Sequence, residues 1–200
     1  MLAARLLPSR PMEIKIDVPL AFPRALVFAT YRDNLAEIAD QMPDVVGVSV
    51  RRSEERPGEV RVVGDWRGGS EIPAFARRFV RESMLSWTDH QTWKEASLTS
   101  EWRIDVHAFP GAVTVTGTTS VVDSGAGSRI EFRGDLSCDL TKVPGVPRFL
   151  ANRLKSTAEK FVISKMSSNL AAVGKAVRQI LERRGRATHP AEARAGSSSC

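Results

Sequence analysis

"SRIEFRGDLSCDL", residues 128–140, alternates apolar and polar side chains almost without error. Ile130, Phe132, Leu136, Cys138 and Leu140 fall on one parity, and Arg129, Glu131, Arg133, Asp135 and Asp139 fall on the other. Successive side chains of a strand point to opposite faces, so the stretch predicts a strand with one apolar and one wet face. Thirteen extended residues reach roughly 40 Å. An apolar face of that length needs a second layer to cover it.

The same period of two continues outward from this stretch. Met84–Lys94, Leu98–Ala108 and Val113–Asp123 read as strands, joined by turn compositions at 95–97, 109–111 and 124–127. Val45–Glu54 and Glu59–Arg67 form another pair around Arg56-Pro57-Gly58, and EIKIDV (13–18) is a first strand. Short connections between successive strands predict an antiparallel meander of about six or seven strands. Residues 71–80, EIPAFARRFV, fit neither period and are read as a short strand or one turn of helix.

Helical spacing occurs twice. After Pro23, the residues Leu26, Val27, Phe28, Tyr31, Leu35, Ile38 and Met42 recur near three and four, and Pro43 closes the run. Asp33-Asn34 is placed to cap a restart, which predicts two short helices. After the breaker VPGVP (143–147), Arg148 to Arg184 has no proline and one glycine. Leu150, Leu154, Ala158, Phe161, Val162, Met166, Leu170, Val173, Val177, Ile180 and Leu181 form an apolar stripe along it. This long helix is the one large layer available to cover the sheet.

The bulk numbers bound the rest. Two hundred residues with 42% hydrophobic and 26% charged side chains suit one globular domain. No apolar run approaches the roughly 20 residues of a membrane span, and the apolar part of MLAARLLPSRP is too short for a secretory signal. Met12 stands just before the first strand, so residues 1–11 are read as a disordered extension. GRATHPAEARAGSSSC (185–200) is read as a disordered tail, leaving a domain at 12–184. Cys138 on an apolar parity and Cys200 at the last position do not predict a disulfide, which points to a reducing, cytoplasmic setting. His90, His107, His189 and the cysteines show no metal-ligand spacing, and no cofactor motif is present. GDWRGG (64–69) lacks the Lys-Ser/Thr of a phosphate loop and opens no helix. The net charge of +6 is uneven: Pro147 to Arg186 carries ten Lys/Arg against two Asp/Glu.

Strand, two short helices, a meander and a long last helix resemble the START-like, or birch-pollen-allergen-like (SRPBCC), helix-grip superfamily. "IPAFARRFV" (72–80), Trp93 in "HQTWKEA" and "VPGVPRFLANRLKS" (143–156) further resemble an uncharacterised bacterial family within it. The resemblance implies an α+β helix-grip fold: a curved antiparallel sheet wraps the last helix, two short helices plug one end, and an internal cavity remains. A helix about 10 Å wide is narrower than six or seven strands about 4.8 Å apart, which makes such a space physically reasonable.

Parity places Trp66, Trp102, Ile104, Phe132 and Leu136 on inward faces, and Phe161 and Met166 lie on the helix stripe. These seven are the candidate cavity residues for a hydrophobic small molecule or lipid, with core filling as the competing role. Parity alone leaves Trp87 and Trp93 undecided between edge and cavity. No catalytic constellation is visible. Asp89 and His90 are adjacent on a strand and face opposite ways, His107 shares a charged face with Arg103 and Asp105, and Cys138 lacks a base. The expectation is therefore binding or transfer of a hydrophobic ligand. The alternatives are an enzyme resembling polyketide cyclases, aromatases or dehydratases in the same cavity, and a regulatory module on a membrane or protein. Lys155, Lys160 and Arg178 are candidates for landing on anionic lipid, while nucleic acid is not expected because no binding motif accompanies the charge.

Overall fold

The computed structural model describes residues 11–69 and 71–188. In chain order the elements are β1 (Met12–Leu20), α1 (Arg24–Asp33), α2 (Leu35–Ala39), β2 (Val45–Arg56), β3 (Glu59–Gly68), β4 (Ser86–Lys94), β5 (Thr99–Val106), β6 (Val113–Ser124), β7 (Gly127–Cys138) and α3 (Arg148–Thr188). The strands form one seven-stranded antiparallel sheet in the order β1-β7-β6-β5-β4-β3-β2. The meander runs from β2 to β7, and β1 closes onto β7 with Ile16 opposite Phe132. The predicted extension lies outside the described residues apart from its last position. α3 runs on to Thr188, and the rest of the predicted tail lies outside the described residues.

The opening stretch folds as its alternation requires. Ile130, Phe132, Leu136 and Cys138 are buried on the inner face of β7. The strand stops at Cys138, because Asp139 turns the chain by accepting from the Thr141 N–H. Residues 71–80 form neither strand nor helix. Their backbone closes hydrogen-bonded turns, with the Ala76 and Arg77 N–H groups donating to the Pro73 carbonyl at 2.8 and 3.2 Å. Asn34 divides α1 from α2, but its side chain does not cap α2; its Nδ2 donates to the Thr30 carbonyl at 2.7 Å and so ends α1.

α3 lies across the inner face. Gly174 sets its closest approach, since a Cβ there would stand 2.0 Å from Val18 Cγ1 of β1. At and beyond that point Val173, Ala176, Val177, Ile180 and Leu181 are buried in one core cluster with Val27, Phe28 and Tyr31 of α1, Ile38 of α2, and Trp93 and Phe132 of the sheet. Edge-to-face contacts order this core: Trp93 lies 5.2 Å from Phe28 and 5.0 Å from Tyr31.

Candidate functional site

On the other side of Gly174 the helix and sheet do not close on each other. A cavity of about 390 Å³ separates them. Trp66, Trp87 and Ile104 form its sheet wall, and Phe161 and Met166 its helix wall. The two tryptophans occupy paired positions of β3 and β4 and stack with centroids 6.2 Å apart. The 71–85 connection supplies a cover, and its Phe75 meets the Phe161 ring edge-on at 6.5 Å. Tyr31 and Leu35, from the two short helices, also face the space.

Of the seven candidates from parity and stripe, Trp66, Ile104, Phe161 and Met166 line this cavity. The other three lie elsewhere. Phe132 is buried against Tyr31, with ring centroids 6.2 Å apart. Leu136 sits in a second core cluster with Ile14, Val115 and Ala158. Trp102 spreads over two glycines that face each other on β6 and β7. A Cβ at Gly117 or Gly134 would come within 2.4 or 2.7 Å of its indole. Its Nε1 donates to Thr119 Oγ1 at 3.1 Å. Parity finds the inner face, but it does not separate residues that line the cavity from residues packed in the two core clusters beside it.

Sequence reasoning missed the polar centre of the site. The inner face of β4 carries Trp87, Asp89, Gln91 and Trp93, and Trp87, Asp89 and Gln91 all line the cavity. Trp93 Nε1 donates to Gln91 Oε1 at 2.8 Å, and Gln91 Nε2 donates in turn to Asp89 Oδ2. Asp89 Oδ1 is buried without a partner. Burial pushes the Asp89 carboxyl up to about 7, against the opposing pull of the Gln91 hydrogen bond. The Tyr31 hydroxyl is raised by the same burial and then by the Asp89 charge. The available signal was that Asp89 shares its parity with two tryptophans.

A second polar pair lies on the cavity wall. Lys165 Nζ meets Asp44 Oδ1 at 2.8 Å, and the Asp44 N–H donates to Asn169 Oδ1 at 3.3 Å. His90 and His107 are on the outer face: His90 Nε2 is 3.1 Å from Asp105 Oδ2, and His107 bonds the Ser86 and Thr88 hydroxyls at 3.0 and 2.8 Å. On α3, Lys160 and Arg178 are exposed, whereas Lys155 is partly buried 3.6 Å from Glu159. Among the described residues no cluster of metal-ligating side chains occurs, and no helix is long and apolar enough to cross a membrane.

Seven antiparallel strands curved about a long C-terminal helix, with two short helices after the first strand, form a helix-grip fold. The chain belongs to the family described as "Protein of unknown function (DUF2505)", whose model matches residues 15–163. Solved structures agree on the fold. The TTHA0849 protein of Thermus thermophilus is similar with a TM-score of 0.61 at 16% identity, over 83% of this chain and 97% of that one. The Zhui aromatase/cyclase of Streptomyces sp. R1128 gives 0.57 at 20% identity, over 90% and 98%. The di-domain aromatase/cyclase StfQ of the steffimycin biosynthetic pathway gives 0.60 at 12% identity, over 88% of this chain and 52% of that one. No curated protein matches the sequence.

Proposed function

We propose that the protein binds, and carries or presents, a hydrophobic small molecule or lipid in the cavity between α3 and the sheet. The observation that carries this reading is the cavity itself: about 390 Å³, walled by Trp66, Trp87, Ile104, Phe161 and Met166. Ligand sites of drug-sized molecules are apolar clefts of about 300–1,000 Å³ with a few placed polar groups. Asp89 and Gln91 supply such groups at one wall. The buried free thiol of Cys138 suits work in a reducing, cytoplasmic setting. Native mass spectrometry of freshly purified protein, followed by organic extraction, tests the reading. A co-purifying hydrophobic molecule is the expected result. Clean protein that also fails to bind the neutral fluorophore N-phenyl-1-naphthylamine would refute it.

One observation favours a second reading, a cyclase- or aromatase-like enzyme. Asp89 lines the cavity with a carboxyl pushed up to about 7, the range suited to moving protons at neutral pH. Two fold relatives are named aromatase/cyclases. Loss of turnover on an aromatic polyketide substrate in Asp89→Asn, with substrate binding preserved, would establish it. A looser association with anionic lipid is supported by exposed Lys160 and Arg178; Lys155 contributes less because Glu159 lies beside it.

A further inference from the structure

Resting on the reading of the cavity as a hydrophobic-ligand site, two atoms within its wall define the polar end of the ligand. The indole Nε1 of Trp66 and the carboxyl Oδ1 of Asp89 are both buried without a hydrogen-bond partner, and both residues line the cavity. Register makes them neighbours. Gly64 of β3 pairs directly with Asp89 of β4. Gly64 has no side chain, and the Trp66 indole fills the room this leaves: a Cβ on Gly64 would stand 2.5 Å from Nε1. Cβ positions of directly opposed residues lie about 4.5–5.5 Å apart, so the register sets the indole N–H and the carboxyl at the same level of neighbouring strands.

The Gln91 amide beside Asp89 is already committed. An indole nitrogen only donates, so Trp93 fixes the Gln91 carbonyl towards itself and the Gln91 amide nitrogen towards Asp89 Oδ2. One carboxyl oxygen is thereby satisfied and the other is left over. On the far wall, Lys165 and Asp44 serve each other. A buried donor and a buried acceptor, each costly while unpaired, are thus left in a mainly apolar wall.

We propose that the ligand is an apolar molecule bearing a hydroxyl group, whose oxygen accepts from the Trp66 indole N–H and whose O–H donates to the Asp89 carboxyl. While the carboxyl is ionised, an ether or ketone oxygen satisfies Trp66 alone. An ammonium satisfies Asp89 alone and faces an N–H donor. A hydroxyl serves both atoms, and it does so whether the carboxyl is ionised or neutral.

The test uses the full chain at pH 9, where the Asp89 carboxyl is ionised, loaded with N-phenyl-1-naphthylamine and displaced by 1-dodecanol or by methyl undecyl ether, which has the same number of heavy atoms. The alcohol should bind about tenfold more tightly, the worth of one added hydrogen bond. Asp89→Leu should abolish that preference by weakening the alcohol alone. Trp66→Phe should weaken alcohol and ether alike, because both accept from the indole. Asp89→Asn, which keeps an acceptor, should retain part of the preference. Far-ultraviolet circular dichroism shows that each variant is folded, and the fluorophore affinity of each variant, measured first, calibrates its displacement. Equal affinities in the wild type, meaning that water serves the two atoms, would overturn the proposal, as would a preference that survives Asp89→Leu. Failure of the fluorophore to bind the wild type would instead bring down the ligand-site reading on which the proposal rests.

Discussion

The two halves of α3 read alike in sequence and behave differently in the fold. After Gly174, the stripe residues Val177, Ile180 and Leu181 are buried against α1, α2 and the sheet. Before it, Leu154, Phe161, Val162, Met166 and Leu170 are only half-buried, because they look into the cavity. What differs is the opposing surface. The C-terminal half has two short helices wedged beside it, and Gly174 lets it sit down on Val18. The N-terminal half packs on the sheet through Ala158, in a smaller cluster with Ile14, Val115 and Leu136, and otherwise faces the cavity, the turns of 71–85 and the 140–146 segment. One continuous amphipathic helix thus stabilises the fold with one half and builds a site with the other.

Two phenylalanines give the sharpest way to break that division, and the largest effect. Phe132 is 1% exposed and packed against Tyr31 at the closed end. Phe161 lines the cavity. Phe132→Ala should destabilise the protein by about 3–5 kcal/mol in urea denaturation, the usual loss for a ring removed from a filled core. Phe161→Ala should cost less than half as much, while changing the affinity for a hydrophobic probe. Equal losses would mean that the cavity end is packed as tightly as the other.

The second effect belongs to Asp89. Its folded pKa, about 7, lies above its ordinary value of 3.8. Between these values the folded state keeps a proton that the unfolded state has released, so stability falls as pH rises through the window and levels off above it. Asp89→Asn removes this dependence. At pH 8 the variant should be more stable than the wild type by about 2–4 kcal/mol, and at pH 4 the difference should vanish. Parallel stability curves for the two proteins from pH 4 to 8 would show that the carboxyl is not buried in the folded state.

Asp89 also marks where the sequence stopped being legible. The fold could be read because β7, β5 and α3 each obey one period over their whole length, and the period names both the element and its buried side. β4 obeys the same period, but its inner face is Trp-Asp-Gln-Trp, so the two polar residues at its centre disguise it. The division of α3 was hidden for another reason. Half-burial over a cavity and full burial in a core demand the same apolar residues at the same spacing. The only local sign was Gly174, whose meaning depends on Val18, far away in the chain.

Vesicle binding probes the outer side of both halves, with a smaller effect. Lys160 lies on the cavity half and Arg178 on the packed half, and both are exposed. If the basic face meets anionic lipid, each unit of charge near the surface is worth about 1 kcal/mol. Lys160→Glu and Arg178→Glu should each reduce retention on anionic vesicles in a co-sedimentation assay, without unfolding the chain. Retention should also fall as salt rises, since surface charge acts over about 10 Å at 0.1 M ionic strength. Salt-independent retention, or equal retention on neutral vesicles, would leave the basic segment as a solvated face.

The smallest effect is expected one residue away from the most important polar group. His90 follows Asp89, and strand geometry sends the two to opposite faces of the sheet. His90 faces outward and pairs with Asp105, and His107 bonds the Ser86 and Thr88 hydroxyls on the same outer face. Exposed pairs of this kind contribute about 0–1 kcal/mol. His90→Ala and His107→Ala should therefore leave ligand affinity within about twofold of wild type, where Asp89→Leu changes it for an alcohol by about tenfold. A fluorophore titration of the three variants measures both. A loss at His90 comparable with that at Asp89 would mean that the outer face reports on the cavity through the strand itself. The ligand would then be read by the whole of β4 rather than by its inner side chains alone.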